Sequence, residues 1–246
     1  MTRLLAGLPR LASLSLKGEP WPAAADAALT ALSSLTRLHL QSMRRLPNCL
    51  SNLTGLRELK LQGVGGPFNG DAAAALDAAL RRLTRLTSLF VHSLLPVGGV
   101  PLTIARLAQL RRCTLEGFVI GARLPAGPWL GGLCELGADY ACLWRSVQAL
   151  AAAPALQRLA VSALPTADVY GGHGDPDCEA FWAWATRHPP LWRLELERNT
   201  NARCIGTSVS DGLIGLCQAR PQLQVAHPDL YSRTSFRRSF DFGAAQ

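Results

Sequence analysis

The sequence predicts an α/β solenoid: short parallel strands stacked along one axis, with helices or turns closing each coil on the other side. Three observations predict it. A leucine pattern recurs along most of the 246 residues. Its internal spacing joins a turn to a strand. Between its copies lie segments that read alternately as helix and as proline-containing turn.

The stretch LTGLRELKLQG, residues 53–63, shows the spacing clearly. Leucines fall at 53, 56, 59 and 61, with gaps of three, three and two. A helix wants gaps of three and four, and a half-buried strand wants gaps of two. The core of the stretch, L-x-x-L-x-L, recurs as LASLSL from Leu11, LTRLHL from Leu35, LRELKL from Leu56 and LTSLFV from Leu86. It continues as LRRCTL from Leu110, a weak LCELGA from Leu133, LQRLAV from Leu156 and LWRLEL from Leu191. These eight anchors are separated by 24, 21, 30, 24, 23, 23 and 35 residues. A ninth, degenerate copy, PQLQVA, puts Leu223 and Val225 at the strand positions. The fourth and sixth positions of each copy point inward and the first leucine packs behind them. One such strand cannot bury its apolar side chains alone, whereas stacked neighbours build a continuous core.

Five connecting segments read as helices. PAAADAALTALSSL has Pro22 near its first turn, and GDAAAALDAALRRL has Asp71 as N-cap. LWRSVQALAAAP is alanine-rich and stops at Pro154. DPDCEAFWAWATRHP has Asp175 as cap and Pro176 at the first helical position, and SVSDGLIGLCQARP has Ser208 or Ser210 as cap. Two segments read as turns, MRRLPNCLSN and LLPVGGVPLTIARL.

Over residues 4–226 the pattern resembles the leucine-rich repeat family. The helix-backed units resemble its ribonuclease-inhibitor-like branch, and the turn-backed units its shorter plant and typical classes. The resemblance implies eight or nine units in a curved stack, with the sheet on the concave face, helices and turns on the convex face, and ligand against the strands. It implies a non-catalytic protein-interaction module without cofactor. Members of this kind serve as substrate receptors of F-box-type ubiquitin ligases or as cytoskeletal and axonemal scaffolds. The asparagine usual after each strand is nearly missing. Its positions hold Glu19, Met43, Val64, Leu94, Phe118, Ala141 and Leu164, and only Asn199 fits. Backbone groups there need other partners.

Residues 1–228 are expected to form the repeat domain and residues 229–246 a C-terminal cap or basic tail. The chain opens inside the first unit, so a preceding cap or domain is expected to be missing. The leucine edge at Leu4, Leu5 and Leu8 would then support self-association.

The net charge is +8, and only Lys17 and Lys60 are lysines, which leaves 23 of the 25 basic residues as arginine. No Lys/Arg run exceeds two residues. No apolar run approaches the length of about 18 residues that a membrane span needs. Seven cysteines without a CxxC pair predict small hydrophobes in a reducing compartment, hence a cytoplasmic rather than secreted chain.

For chemistry, YGGHGDPDCE at 170–179 is the richest stretch, with His173, Asp175, Asp177, Cys178 and Glu179. It reads as a surface loop and helix start whose acids favour the helix N-terminus. The rival reading is a metal-dependent enzyme. Trp182 or Trp184 with Phe181 is expected in the core, and Trp192 near the surface.

Side chains alternate along a strand, so the third, fifth and seventh motif positions leave the core. On that face the sequence places Arg37, His39, Glu58, Lys60, Phe90, His92, Arg112, Glu116, Arg158, Arg193, Glu195 and Glu197, with Trp192 beside them, as the candidate protein-binding residues. Across all eight copies the face holds six basic and six acidic residues and therefore no net charge. A nucleic-acid reader would concentrate its basic residues there, so a protein partner is expected instead. The sign runs from basic at the N-terminal end to acidic near units six and eight, which could orient a partner.

Overall fold

The computed structural model describes residues 8, 10–18, 24–43, 46–63, 70–97, 99–118, 122–162, 176–196 and 207–226. Nine parallel strands form one sheet in strict chain order. They are β1 Ser13–Lys17, β2 Arg37–Gln41, β3 Glu58–Gln62, β4 Ser88–Val97, β5 Arg112–Phe118, β6 Glu135–Asp139, β7 Arg158–Ser162, β8 Arg193–Leu196 and β9 Gln224–Ala226. The helices that back them are α1 Ala24–Thr30, α2 Gly70–Leu80, α3 Tyr140–Trp144, α4 Val147–Leu150, α5 Pro176–Arg187 and α6 Thr207–Ala219. Three units are closed by 3₁₀ turns, Asn48–Asn52, Leu102–Arg106 and Pro128–Gly132. The expected mixture of helix-backed and turn-backed units is therefore present, with Pro128–Gly132 as a third turn beyond the two expected.

The leucine pattern sets the register. Leu38, Leu59, Leu89, Cys113, Leu136, Leu159 and Leu194 pair in succession across neighbouring strands. These side chains, and those two residues on, are at most 2% exposed. Each buried leucine contributes about 1.5–3 kcal/mol. Where cysteine replaces leucine, it serves the same packing, and burial pushes the Cys113 thiol up. Neighbouring Cys142, on α3, is pushed up to about 12, first by burial and then by Asp139.

A backbone ladder reinforces this stack. In every unit from β2 to β7 one carbonyl just before the strand accepts two amides from the next unit. Thr36 O takes the amides of Arg57 and Glu58, and Arg57 O those of Thr87 and Ser88. The series continues to Gln157 O, which takes Trp192 and Arg193. The first leucine of each unit closes a turn onto the carbonyl three residues earlier, as in Leu56 to Leu53 and Leu191 to His188.

After the strands, the missing asparagines are replaced by a second device. Gly18, Ser42 and Gly63 adopt positive φ, and their amides donate to carbonyls of the neighbouring strand, those of Gln41, Gln62 and His92. Positive φ suits glycine, and Ser42 is the only non-glycine described with it. At Gly117 the acceptor is instead the Asp139 carboxylate, at 2.9 Å, which also accepts from the Ser162 hydroxyl. Asp139 thus staples three units together rather than standing free on the face.

Several expectations at element ends are corrected. The α2 helix begins at Gly70, so Asp71 lies in its first turn and not at its cap. The α6 helix begins at Thr207, which puts Ser208 and Ser210 inside it. The alanine-rich segment splits into α3 and α4, because the chain enters helix directly from β6 at Tyr140. In the ninth copy Val225 pairs with Leu194, so it holds the fourth motif position and not the sixth, while Leu223 closes the turn onto Arg220. Pro176 does open α5. Asp175, Asn199, Leu4, Leu5 and the segment 229–246 lie outside the described residues.

Two polar anchors, one half-buried and one buried, join the backing elements. Asp77 on α2 accepts from the Thr103 amide at 3.1 Å and hydroxyl at 2.5 Å, and pairs with Arg81 at 2.9 Å. Partial burial pushes its carboxyl up, but the Thr103 hydrogen bonds and Arg81 outweigh that and hold it below its ordinary value. Arg220, 7% exposed, donates to the carbonyls of Ala185 and Pro189 at 3.1 Å, His188 at 2.6 Å, and Leu191. It thereby satisfies the end of α5 and the turn into β8, where a cation is electrostatically favoured.

Asp77→Ala should lower stability by about 1–3 kcal/mol at pH 7, read from urea midpoints. The native carboxyl titrates below its unfolded value near 3.9, so this stabilisation is complete above that pH and lost as pH falls through the folded value. Wild type and variant should therefore converge in acid. Arg220→Met should cost about 2–3 kcal/mol and reduce hydrogen-exchange protection first in β8 and β9.

Candidate functional site

The solvent-facing side of the sheet carries three rows of side chains, one for each outward motif position. The central row runs in register as Ser15, His39, Lys60, Phe90, Thr114, Gly137, Ala160 and Glu195. Large residues stand at Lys60, Phe90 and Glu195, and small ones lie between. The result is a cleft of ≈ 370 Å³ over β3 to β8, floored by Thr114, Gly137 and Ala160 and walled by Phe90 at one end and Glu195 at the other. Four strand spacings separate those walls, about 19 Å. A Cβ on Gly137 would lie 3.0 Å from Thr114 Cγ2, so a side chain there needs Thr114 to give by a few tenths of an ångström.

The charged residues of the rim are arranged in pairs. His92 Nδ1 lies 3.1 Å from Glu116 Oε2, Arg158 lies 3.4 Å from Glu135, and Arg193 Nε lies 2.5 Å from Glu195. Lys60 Nζ sits 4.8 Å from the Phe90 ring centroid, and that ring stacks on His92 at 6.5 Å. Arg158 also covers the Trp192 ring at 5.4 Å. His39 lies 3.3 Å from the Ser15 hydroxyl, and burial, with Lys60 next to it, holds its pKa below the ordinary value. No carboxylate lies within ion-pair distance of Arg112 among the described residues.

Of the residues expected from sequence, Glu58, Lys60, Phe90, Arg112, Glu116, Arg158 and Glu195 line the cleft. His92, Arg193 and Trp192 stand behind them as partners of lining residues, and Trp192 is exposed as expected. Arg37 and His39 lie on β2, beyond the cleft's N-terminal wall. Glu197 lies outside the described residues. Glu116 needs correction as an accessible contact: it is 8% exposed, because His92 folds over it. The reading of large and charged outward residues passed over the floor. Three successive small residues at the fifth motif position were the signal for it.

The other candidates contribute little geometry. Phe181, Trp182 and Trp184 are buried around Tyr140 on the convex side, as expected. Of the 170–179 stretch, residues 170–175 lie outside the described residues, and Cys178 packs against the Tyr140 hydroxyl at 2.9 Å. Among the described residues no three His, Cys, Asp or Glu are grouped to hold a metal. No described helix is long and apolar enough to cross a membrane.

The motif register and the nine-stranded parallel sheet define a solenoid of the leucine-rich-repeat type. No family model matches the chain, and no curated protein matches it. Among solved structures it is similar to the plant peptide hormone receptor RGFR1 in complex with RGF2, at 15% identity and a TM-score of 0.46. The match covers 89% of this chain and 33% of that one, so the chain spans about a third of that structure's length.

Arg112 and Ala160 project from the sheet and support no other unit, and Phe90 meets the preceding unit at the Lys60 side chain. Phe90→Ala, Arg112→Glu and Ala160→Phe should each change stability by less than about 0.5 kcal/mol, whereas Gly137→Val should cost about 1–3 kcal/mol by displacing Thr114. Thermal melts of the four variants check this contrast.

Proposed function

We propose that the chain is a non-catalytic protein-interaction module whose partner lies on the exposed face of the sheet, centred on the cleft between Phe90 and Glu195. The observation that carries this reading is the cleft itself. Its floor of small residues interrupts a face otherwise filled by long side chains, and its size falls in the range of about 300–1,000 Å³ of ligand sites. An aromatic wall, an arginine rim and a rigid parallel sheet beneath are the features that concentrate binding energy in a protein contact. The face carries too even a mixture of signs to track a phosphate backbone.

Both finer roles suggested by the repeat pattern, substrate recognition in an F-box-type ubiquitin ligase and cytoskeletal or axonemal scaffolding, use this same face. A cytoplasmic location, expected from the cysteine usage, belongs to the same proposal. The identity of the bound partner separates the two roles.

Site-directed photo-cross-linking tests the reading. A benzoylphenylalanine at Ala160 should cross-link discrete partners in lysate of the source cells, and Phe90→Ala with Arg112→Glu should remove those products. The same probe at exposed Arg82, on the opposite side, should not reproduce them. Identical products from both positions, or products unaffected by the double substitution, would refute it.

A further inference from the structure

The cleft's lining charges nearly balance by count, with Glu58, Glu116, Glu135 and Glu195 against Lys60, Arg112 and Arg158. Their pairing does not balance. Two of the carboxylates already have a cation within 3.4 Å, Glu135 with Arg158 and Glu195 with Arg193, and Glu116 is covered by the His92 ring. Lys60 lies over an aromatic ring rather than against an acid. Arg112 is exposed, and no carboxylate lies within ion-pair distance of it among the described residues. In register, Arg112 lies between Glu135, whose carboxylate is taken by Arg158, and Ser88, which separates it from Glu58. Two strand spacings, about 10 Å, lie between that acid and the guanidinium's strand.

Phe90 therefore stands between two strands that each offer a cation, Lys60 on β3 and Arg112 on β5, at the mouth of a cavity floored by small side chains. We propose that this cavity takes an extended acidic segment of the partner protein, with an apolar side chain seated on the floor against Phe90 and a nearby carboxylate on Arg112 and Lys60. This rests on the protein-binding reading above and specifies the chemistry of its partner.

The geometry sets the spacing. Side chains two residues apart on an extended chain project to the same side about 7 Å apart. From β5, which carries Arg112, to the floor at Gly137 and Ala160 is one to two strand spacings, about 5–10 Å. An acid-x-aromatic triplet fits both sites at once. A basic segment would meet the two available cations, and of the carboxylates that could attract it only Glu58, on the far side of Ser88 from Arg112, has no such partner among the described residues. Guanidinium is suited to a carboxylate, which it can hold through two parallel hydrogen bonds.

The test is an NMR titration of the full chain with three capped peptides: acetyl-Glu-Gly-Phe-Gly-Glu-amide, its lysine counterpart, and the glutamate peptide with alanine for phenylalanine. The acidic aromatic peptide should bind most tightly and shift the amides of Thr114, Gly137 and Ala160. Arg112→Glu should weaken it about tenfold or more, since a charge-assisted hydrogen bond is lost and a repulsion gained. Ala160→Phe, which fills the cavity without touching either cation, should weaken it comparably. Equal or tighter binding of the lysine or alanine peptide would overturn the inference, as would binding insensitive to Arg112→Glu. Tighter binding of a twelve-nucleotide oligothymidine at the same amides would overturn it in favour of nucleic acid. If no peptide binds while Ala160 still cross-links a partner, the acidic segment is wrong and the protein-binding face stands. If neither occurs, both fall.

Discussion

One carbonyl per unit holds the structure together. It sits just before the strand and accepts two amides from the unit that follows, from β2 through β7. This bond can form only when the next unit is already in register, and the register is the one that stacks leucine on leucine. Hydrogen bonding and apolar burial thus demand the same alignment. A slip of one residue would turn every leucine to solvent and every polar side chain to the core. No unit is stable alone, so stability accrues through interfaces between neighbours.

Because the strand side is held so uniformly, variety is confined to two places. On the backing side, helices and 3₁₀ turns are mixed, and polar anchors such as Asp77 and Arg220 match elements of unequal size. On the exposed side, the outward positions are free of packing duty, and their composition alone shapes the surface. A phenylalanine followed by threonine, glycine and alanine across four strands is enough to open a cleft. The rigidity of the sheet beneath keeps that cleft open without a ligand, which limits the entropy that binding must spend on ordering.

The charged pattern shows how a face without net charge can still discriminate. Counted along the sequence, acids and bases cancel. Placed on neighbouring strands about 4.8 Å apart, they pair, and pairing is selective. Arg158 and Arg193 neutralise Glu135 and Glu195 in the C-terminal half, which leaves the cations next to Phe90 unpaired, among the described residues, at the other end of the cleft. The gradient from basic to acidic expected along the sequence becomes a localised basic mouth beside a neutralised half.

The sequence by itself determined the solenoid, the nine strands, which residues face inward, and the exposed position of Trp192, because a period repeated many times averages out local exceptions. It did not determine where α2 and α6 begin, the register of the ninth copy, or the burial of Glu116. Those depend on single contacts, and one copy of a signal carries little weight. Asp139 and Arg220 were invisible for the same reason: their partners lie 22 to 35 residues away, brought close only by the coil. Tertiary structure alone decided the cleft, since a cavity is a relation between side chains on six strands, and no window of sequence contains it.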